Sequence, residues 1–146
     1  MTTATSANMQ TLQRMLGGGE ESFNRDRTSP EYEQRMAEHF DPDIEVHEPD
    51  CLPHGGVHRG RDAWFTVRRI MMATWDQHMD ILNIWEDRDA GVIILNYLMD
   101  WTARDTGRNF RMPAIEVLTF RDAKIAKVEF YPRDAKEMAD SLTADA

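Results

Sequence analysis

Between residues 109 and 121 the chain alternates strictly between two kinds of side chain. Phe110, Met112, Ala114, Leu118 and Phe120 share one face, and the one charged member of that face is Glu116. Successive side chains of a β-strand point to opposite sides of a sheet, so the pattern predicts a long strand with one buried face. The opposite face, from Asn109 and Arg111 through Ile115 and Val117 to Arg121, is mixed. Segments 77–85, 91–102 and 124–131 also read as strands, with turns at 87–89, 105–107 and 121–123. The last two strands are joined so tightly that they form a hairpin.

The N-terminal half reads differently. Met9, Leu12, Met15 and Leu16 are at helical spacing, and Gly17, Gly18 and Gly19 stop that helix. A short helical piece runs through Phe23. Ser29 is a helix N-cap, Pro30 suits the first turn, and Tyr32, Met36 and Phe40 form an apolar stripe. A strand at 44–48 follows, then a loop rich in Pro, Gly and His at 49–60. Gly60 and Asp62 open a helix to Thr74 that buries Trp64, Val67, Ile70 and Met71. Pro132 ends the sheet, and 133–142 reads as a terminal helix. Helices first and a run of strands last indicate an α+β fold whose antiparallel sheet is covered on one face by the helices. The expected organisation is a disordered stretch at 1–8, a single domain at 9–142 and a tail at 143–146.

Charge and cysteine content narrow the partners. A net charge of −9 argues against nucleic acid and against an anionic membrane, both of which require a basic surface. A single cysteine, Cys51, leaves no internal disulfide and fits a reducing cytoplasm, which is the expected location. No apolar run is long enough to cross a bilayer. Ten methionines and four tryptophans suit an apolar cavity of irregular shape.

Strand 44–48 repeats the anomaly of Glu116. Ile44 and Val46 share a face with Glu48, while Glu45 and His47 point away. Two carboxylates are therefore expected on the covered side of the sheet. A buried carboxylate is costly to ionise, and such groups concentrate at functional sites. The competing interpretation is that each glutamate pairs with an arginine or lies at an open rim.

Several short stretches resemble one known family. They are Phe40-Asp41-Pro42-Asp43-Ile44-Glu45-Val46-His47-Glu48-Pro49, Gly60-Arg61-Asp62-Ala63, Ile115-Glu116-Val117-Leu118-Thr119-Phe120, and Lys124-Ile125 leading to Tyr131. In this order the chain resembles the nuclear transport factor 2-like superfamily, in its SnoaL-like and ketosteroid isomerase-like branch, over residues 9–140. The resemblance implies a cone-shaped curved sheet, the cystatin-like α+β barrel. It places Glu48, followed by Pro49, at the position of a catalytic base. Glu116 falls where a protonated acid helps to form an oxyanion hole, a mechanism for which ketosteroid isomerase is a standard example. In the isomerase a phenol from the first helical region is a further donor. Phe23 lies nearest that place here, so steroid isomerisation itself is not expected.

The implied function is a cofactor-independent enzyme using general acid–base catalysis on a small, largely apolar carbonyl metabolite. Isomerisation, cyclisation and dehydration all suit the arrangement, and water activation on an epoxide is an alternative. A non-catalytic ligand-binding or assembly dimer is the other alternative. His54 is a further acid–base candidate if it swings over the cavity from an otherwise exposed loop. Asp100 is a third pocket carboxylate if the even face of 91–102 points inward. The walls are expected to come from Phe23, Phe40 and Trp64 on the helical side. Met112, Ala114 and Leu118, then Val128, Phe130 and Tyr131, supply the sheet side. His47, Asp50, Cys51, His54 and His58 crowd one segment, but their spacing matches no standard metal site, and no metal is expected. A homodimer through the outer sheet face is expected, since Ile115, Val117 and either Leu95 or Leu98 would otherwise be exposed.

Overall fold

The computed structural model describes residues 4–16 and 29–144. It contains helix α1 (Ala7–Leu16) and helix α2 (Pro30–Ala37), then strands β1 (Phe40–Glu48) and β2 (Gly56–Arg59). Helix α3 (Arg61–Thr74) precedes β3 (Trp75–Asp87), β4 (Val92–Ala103), β5 (Asn109–Arg121) and β6 (Lys124–Pro132), and helix α4 (Ala135–Asp140) follows. The six strands form one curved sheet in the order β2-β1-β6-β5-β4-β3. The α+β architecture is therefore the expected one. No helix among the described residues is long and apolar enough to cross a membrane.

Three details depart from expectation, the first being that Gly56–Arg59, read as part of a loop, is strand β2. Every neighbouring pair of strands is antiparallel except β1 and β6, which are parallel. Their connection runs through α3 and four further strands, long enough for a parallel join, which a tight turn could not make. Phe40 leaves the α2 stripe, because that helix ends at Ala37 and β1 begins at Phe40 itself. Elsewhere the local signals act as read. The Ser29 side chain accepts from the Tyr32 backbone N–H at 3.2 Å, with Pro30 in the first turn. Asp122 and Ala123 both adopt positive φ, the geometry that lets a two-residue turn match the twist of β5 and β6.

The inner face of the sheet is the core. Ile44 and Val46 from β1, Ile93, Leu95, Tyr97, Met99 and Trp101 from β4, and Phe110, Met112 and Leu118 from β5 are all buried. Leu95 thus points inward, and Leu98 lies on the outer side. At one end Trp75, Trp101 and Phe110 pack ring against ring, with centroids 5.6–6.4 Å apart. Toward the other end the core opens. Helix α3 lies over β1 and β3 and buries Trp64, Phe65 and Val67. The outer part of β3, by contrast, leaves Leu82, Ile84 and Trp85 exposed.

Candidate active site

The site begins with a loop that the sequence leaves as a polar stretch. Glu48, the last residue of β1, pairs with Gly56, the first of β2. Residues 49–55 close the gap by successive turns, the Leu52 N–H donating to Pro49 O at 3.1 Å and the Gly55 N–H to Leu52 O at 2.9 Å. A Cβ on Gly55 would lie 2.3 Å from Pro49 O and 2.8 Å from Asp50 O, so only glycine fits. The His58 ring, through Nε2, donates to His54 O at 2.7 Å and to Gly55 O at 3.1 Å, which ties the loop to β2. The folded loop carries His54 inward rather than into solvent.

His54 is 1% exposed and sits edge-on to Trp75, ring centroids 5.9 Å apart. Its Nε2 is 3.6 Å from Glu48 Oε2, close enough for charge attraction when the ring is protonated but too long for a hydrogen bond. Accordingly Glu48 Oε2 and both His54 ring nitrogens lack a hydrogen-bond partner among the described residues. Buried polar atoms left in this state are uncommon and costly, so the pair calls for a role beyond packing. Replacing Gly55 should show how far the loop matters. Gly55→Ala is expected to lower stability by about 1–3 kcal/mol and to displace His54 from Glu48. Urea unfolding checks the first effect, and the His54 ring resonances check the second.

Glu48 and Glu116 line one cavity of about 100 Å³ beneath the helices. Glu116 is half-buried on β5, and the Tyr97 hydroxyl from β4 donates to its Oε1 at 3.0 Å. Most of the remaining wall is apolar, with Leu12, Met36, Phe40, Met71, Met79 and Leu118 among its residues. Trp64, Arg68, Gln77 and Trp101 add polar atoms to it. The indole N–H groups of Trp64 and Trp101 are buried without an acceptor among the described residues.

Of the expected wall residues, Phe40, Trp64, Leu118, Val128 and Phe130 line the cavity. Phe23 falls outside the described residues. Met112 and Ala114 are on the inner face but not on the cavity wall. Met112 packs with its cross-strand neighbour Met99 in the filled end, and Ala114 is too short to reach past its neighbour Tyr97. Tyr131 is 54% exposed on the outer face, where its hydroxyl donates to Glu129 Oε2 at 2.7 Å and holds that carboxyl below the usual range. Ile125 enters the wall instead, because the β6 ladder shifts register near Phe120 and reverses which side chains point inward.

Asp100 is not a pocket carboxylate. β4 turns its odd-numbered, apolar side chains inward, and Asp100 accepts from Asn109 Nδ2 at 2.8 Å on the outer side. His54 does not swing over the cavity either: it stands behind Glu48, outside the wall. His47 points outward to Glu45 at 3.1 Å, and together with Arg59 it keeps that carboxyl below the usual range. No group of three or more His, Cys, Asp or Glu residues that could hold a metal ion occurs among the described residues. Tyr97 and Arg68 line the cavity without having been among the expected wall residues, although the apolar strand face of Tyr97 was visible as one of two choices.

The fold has counterparts. The model of the SnoaL-like domain family matches residues 23–128. An NTF2-like protein of unknown function from Burkholderia pseudomallei superposes with a TM-score of 0.77 at 22% identity, covering 96% of this chain and 100% of that one. A protein from a Jannaschia species, provisionally described as a SnoaL-like polyketide cyclase, gives 0.76 at 10% identity, covering 99% and 100%. A provisionally described isomerase from Bacillus subtilis gives 0.73 at 13% identity, covering 95% and 94%. At these identities the likeness is one of fold. No curated protein matches the sequence at a significant level. With a family match over most of its length, the chain belongs to the SnoaL-like domain family, and it has the fold of NTF2-like proteins.

Proposed function

We propose that the chain is an acid–base enzyme that removes a proton from carbon next to the carbonyl of a small, largely apolar metabolite. The observation that carries this is the pair of carboxylates, Glu48 and Glu116, opening on one apolar cavity. Glu48 is the base. Its Oε2 has no competing donor among the described residues, and His54 behind it restrains the carboxylate. Glu116 in its neutral form, with Tyr97 bonded to its Oε1, would donate from its other oxygen to the substrate carbonyl.

In the reaction the C–H electron pair becomes the carbon–carbon double bond of an enolate. The carbonyl electrons move onto oxygen, and the proton rests on Glu48. Returning the proton at another carbon is isomerisation. Attack of the enolate carbon on a second carbonyl, whose oxygen takes the proton from Glu48, is cyclisation, and expulsion of a β-hydroxyl, which takes that proton to leave as water, is dehydration. The names carried by two structural neighbours, a cyclase and an isomerase, are consistent with chemistry of this kind.

The test uses phenylacetone in D2O at neutral pH, with NMR reading deuterium entry at its α-carbons. The wild-type protein should accelerate exchange over buffer. Tyr97→Phe should slow it by roughly 10-fold or more, since it removes the hydrogen bond that positions Glu116, and loss of an oxyanion-site donor commonly costs that much or more. Equal exchange in wild type, Tyr97→Phe and buffer would overturn the reading.

A further inference from the structure

Arg68 is the one cation in the cavity wall among the described residues. It lies on α3 a turn beyond Trp64, and its Nη2 donates to the Tyr32 hydroxyl at 3.2 Å. Its guanidinium lies over two rings, 5.2 Å from the Trp64 centroid and 5.6 Å from that of Tyr32. Stacking of this kind holds the planar fork in place before any ligand arrives. The Arg68 Nε is buried with no acceptor, and no carboxylate among the described residues pairs with this side chain.

That isolation is not for want of acids. The chain has 26 acidic residues against 17 Lys and Arg. Other arginines take carboxylates readily: Arg69 binds Glu33, Arg104 binds Asp76 and Arg121 binds Asp41. Arg68, adjacent in sequence to Arg69, faces the cavity instead. The Trp64 indole N–H, in the same helix and the same wall, is also without an acceptor among the described residues. Among those residues, two donors on the helical wall are thus unmatched, while both carboxylates of the cavity belong to the sheet wall.

From this we infer that the helical wall is a carboxylate subsite, so that the substrate is a small organic acid rather than a neutral metabolite. Its anionic group would take the Arg68 fork, and its apolar body would fill the cavity. Its carbonyl would then be directed to the sheet, between Glu48 and Glu116. The guanidinium also offsets the repulsion that the Glu48 carboxylate would exert on an anion. A cavity of about 100 Å³ restricts the enclosed body to about a single ring or a short chain. The inference rests on the proposed reaction for the orientation of the carbonyl, but the subsite can be tested without turnover.

The experiment is calorimetric titration of the whole chain at pH 7 with phenylacetate and with its uncharged isostere phenylacetamide. Phenylacetate should bind about 10- to 100-fold tighter, the value of hydrogen bonds to a charged group. Arg68→Gln should remove that preference, and Arg68→Lys should retain part of it, with circular dichroism checking that both variants fold. Equal affinity for acid and amide in the wild type, including no measurable binding of either, would overturn the subsite. So would an undiminished preference in Arg68→Gln. Glu48→Gln separates the two proposals. It should keep the acid preference while losing deuterium exchange. Loss of the preference alone would count against the subsite, and unchanged exchange alone would count against the base.

Discussion

Glu48→Gln is expected to slow proton abstraction by roughly 100- to 10,000-fold, the range typical of a positioned general base, while leaving the fold in place. The amide matches the carboxylate in size, so neither the β1–β2 register nor the packing around Ile44 and Val46 need change. What disappears is the lone pair that takes the proton. The site makes that loss hard to replace. Glu48 is 8% exposed, so bulk water has little access to substitute as base. His54 cannot take over, because it stands outside the cavity wall with Glu48 between it and the substrate. Glu116, acting in its neutral form as the hydrogen-bond donor and already bonded to Tyr97 through Oε1, is not a second base. Single-turnover exchange of phenylacetone measures the effect directly. A change of less than about 3-fold would remove Glu48 from the chemistry and leave the cavity as a binding site only.

The strands differ in how legible they are in the sequence. β5 was read with its bounds intact, because a period of two maintained from Asn109 to Arg121 cannot be mistaken for a helix. The same period singled out Glu116. Glu48 rested on a short strand end, yet Ile44, Val46 and Glu48 are all buried on one side as the alternation required. β4 was ambiguous for a physical reason. Its odd face carries Tyr97, Met99 and Trp101, and its even face carries Ile94 and Leu98, so hydropathy alone does not choose between them. The choice is made by pairing with β5, where Tyr97 stands opposite Ala114 and next to Glu116. Strand pairing is a long-range property, and local pattern does not encode it.

The loop at 49–55 illustrates the other limit. A stretch rich in Pro, Gly and His has the composition of an exposed loop, and Cys51 and Pro53 are indeed exposed. Yet His54 is buried, because the turn closed by Gly55 aims it at Trp75. Composition speaks for a whole segment, whereas burial here is decided one side chain at a time. The misassigned Tyr131 has a similar cause. Alternation counted from Val128 and Phe130 sends Tyr131 outward, and only an assumed bulge at the strand end would have turned it in. The register shift occurs earlier, near Ile125, where it turns that side chain into the cavity.

Trp75→Ala should destabilise the protein by about 3–5 kcal/mol, the cost of emptying a large aromatic site in a well-packed core. Trp75 is fully buried, contacts the rings of His54, Trp101 and Phe110, and donates from Nε1 to Ser141 Oγ at 2.9 Å. A domain of this size has roughly 5–15 kcal/mol of total stability, so the loss would be a large share of the whole. The effect should reach the site as well. Trp75 is the ring against which His54 is seated, and truncating it frees the imidazole to move away from Glu48. Trp75→Phe separates packing from hydrogen bonding. It retains most of the aromatic contact, loses the bond to Ser141, and should cost about 1–2 kcal/mol. Urea unfolding of the two variants gives the stabilities, and deuterium exchange at a temperature where both are folded gives the effect on the base. If Trp75→Ala were less than about 1 kcal/mol below the wild type, the filled end of the sheet could not be what holds the site in place. If it were destabilised as expected but exchanged at the wild-type rate, His54 would have no part in positioning Glu48.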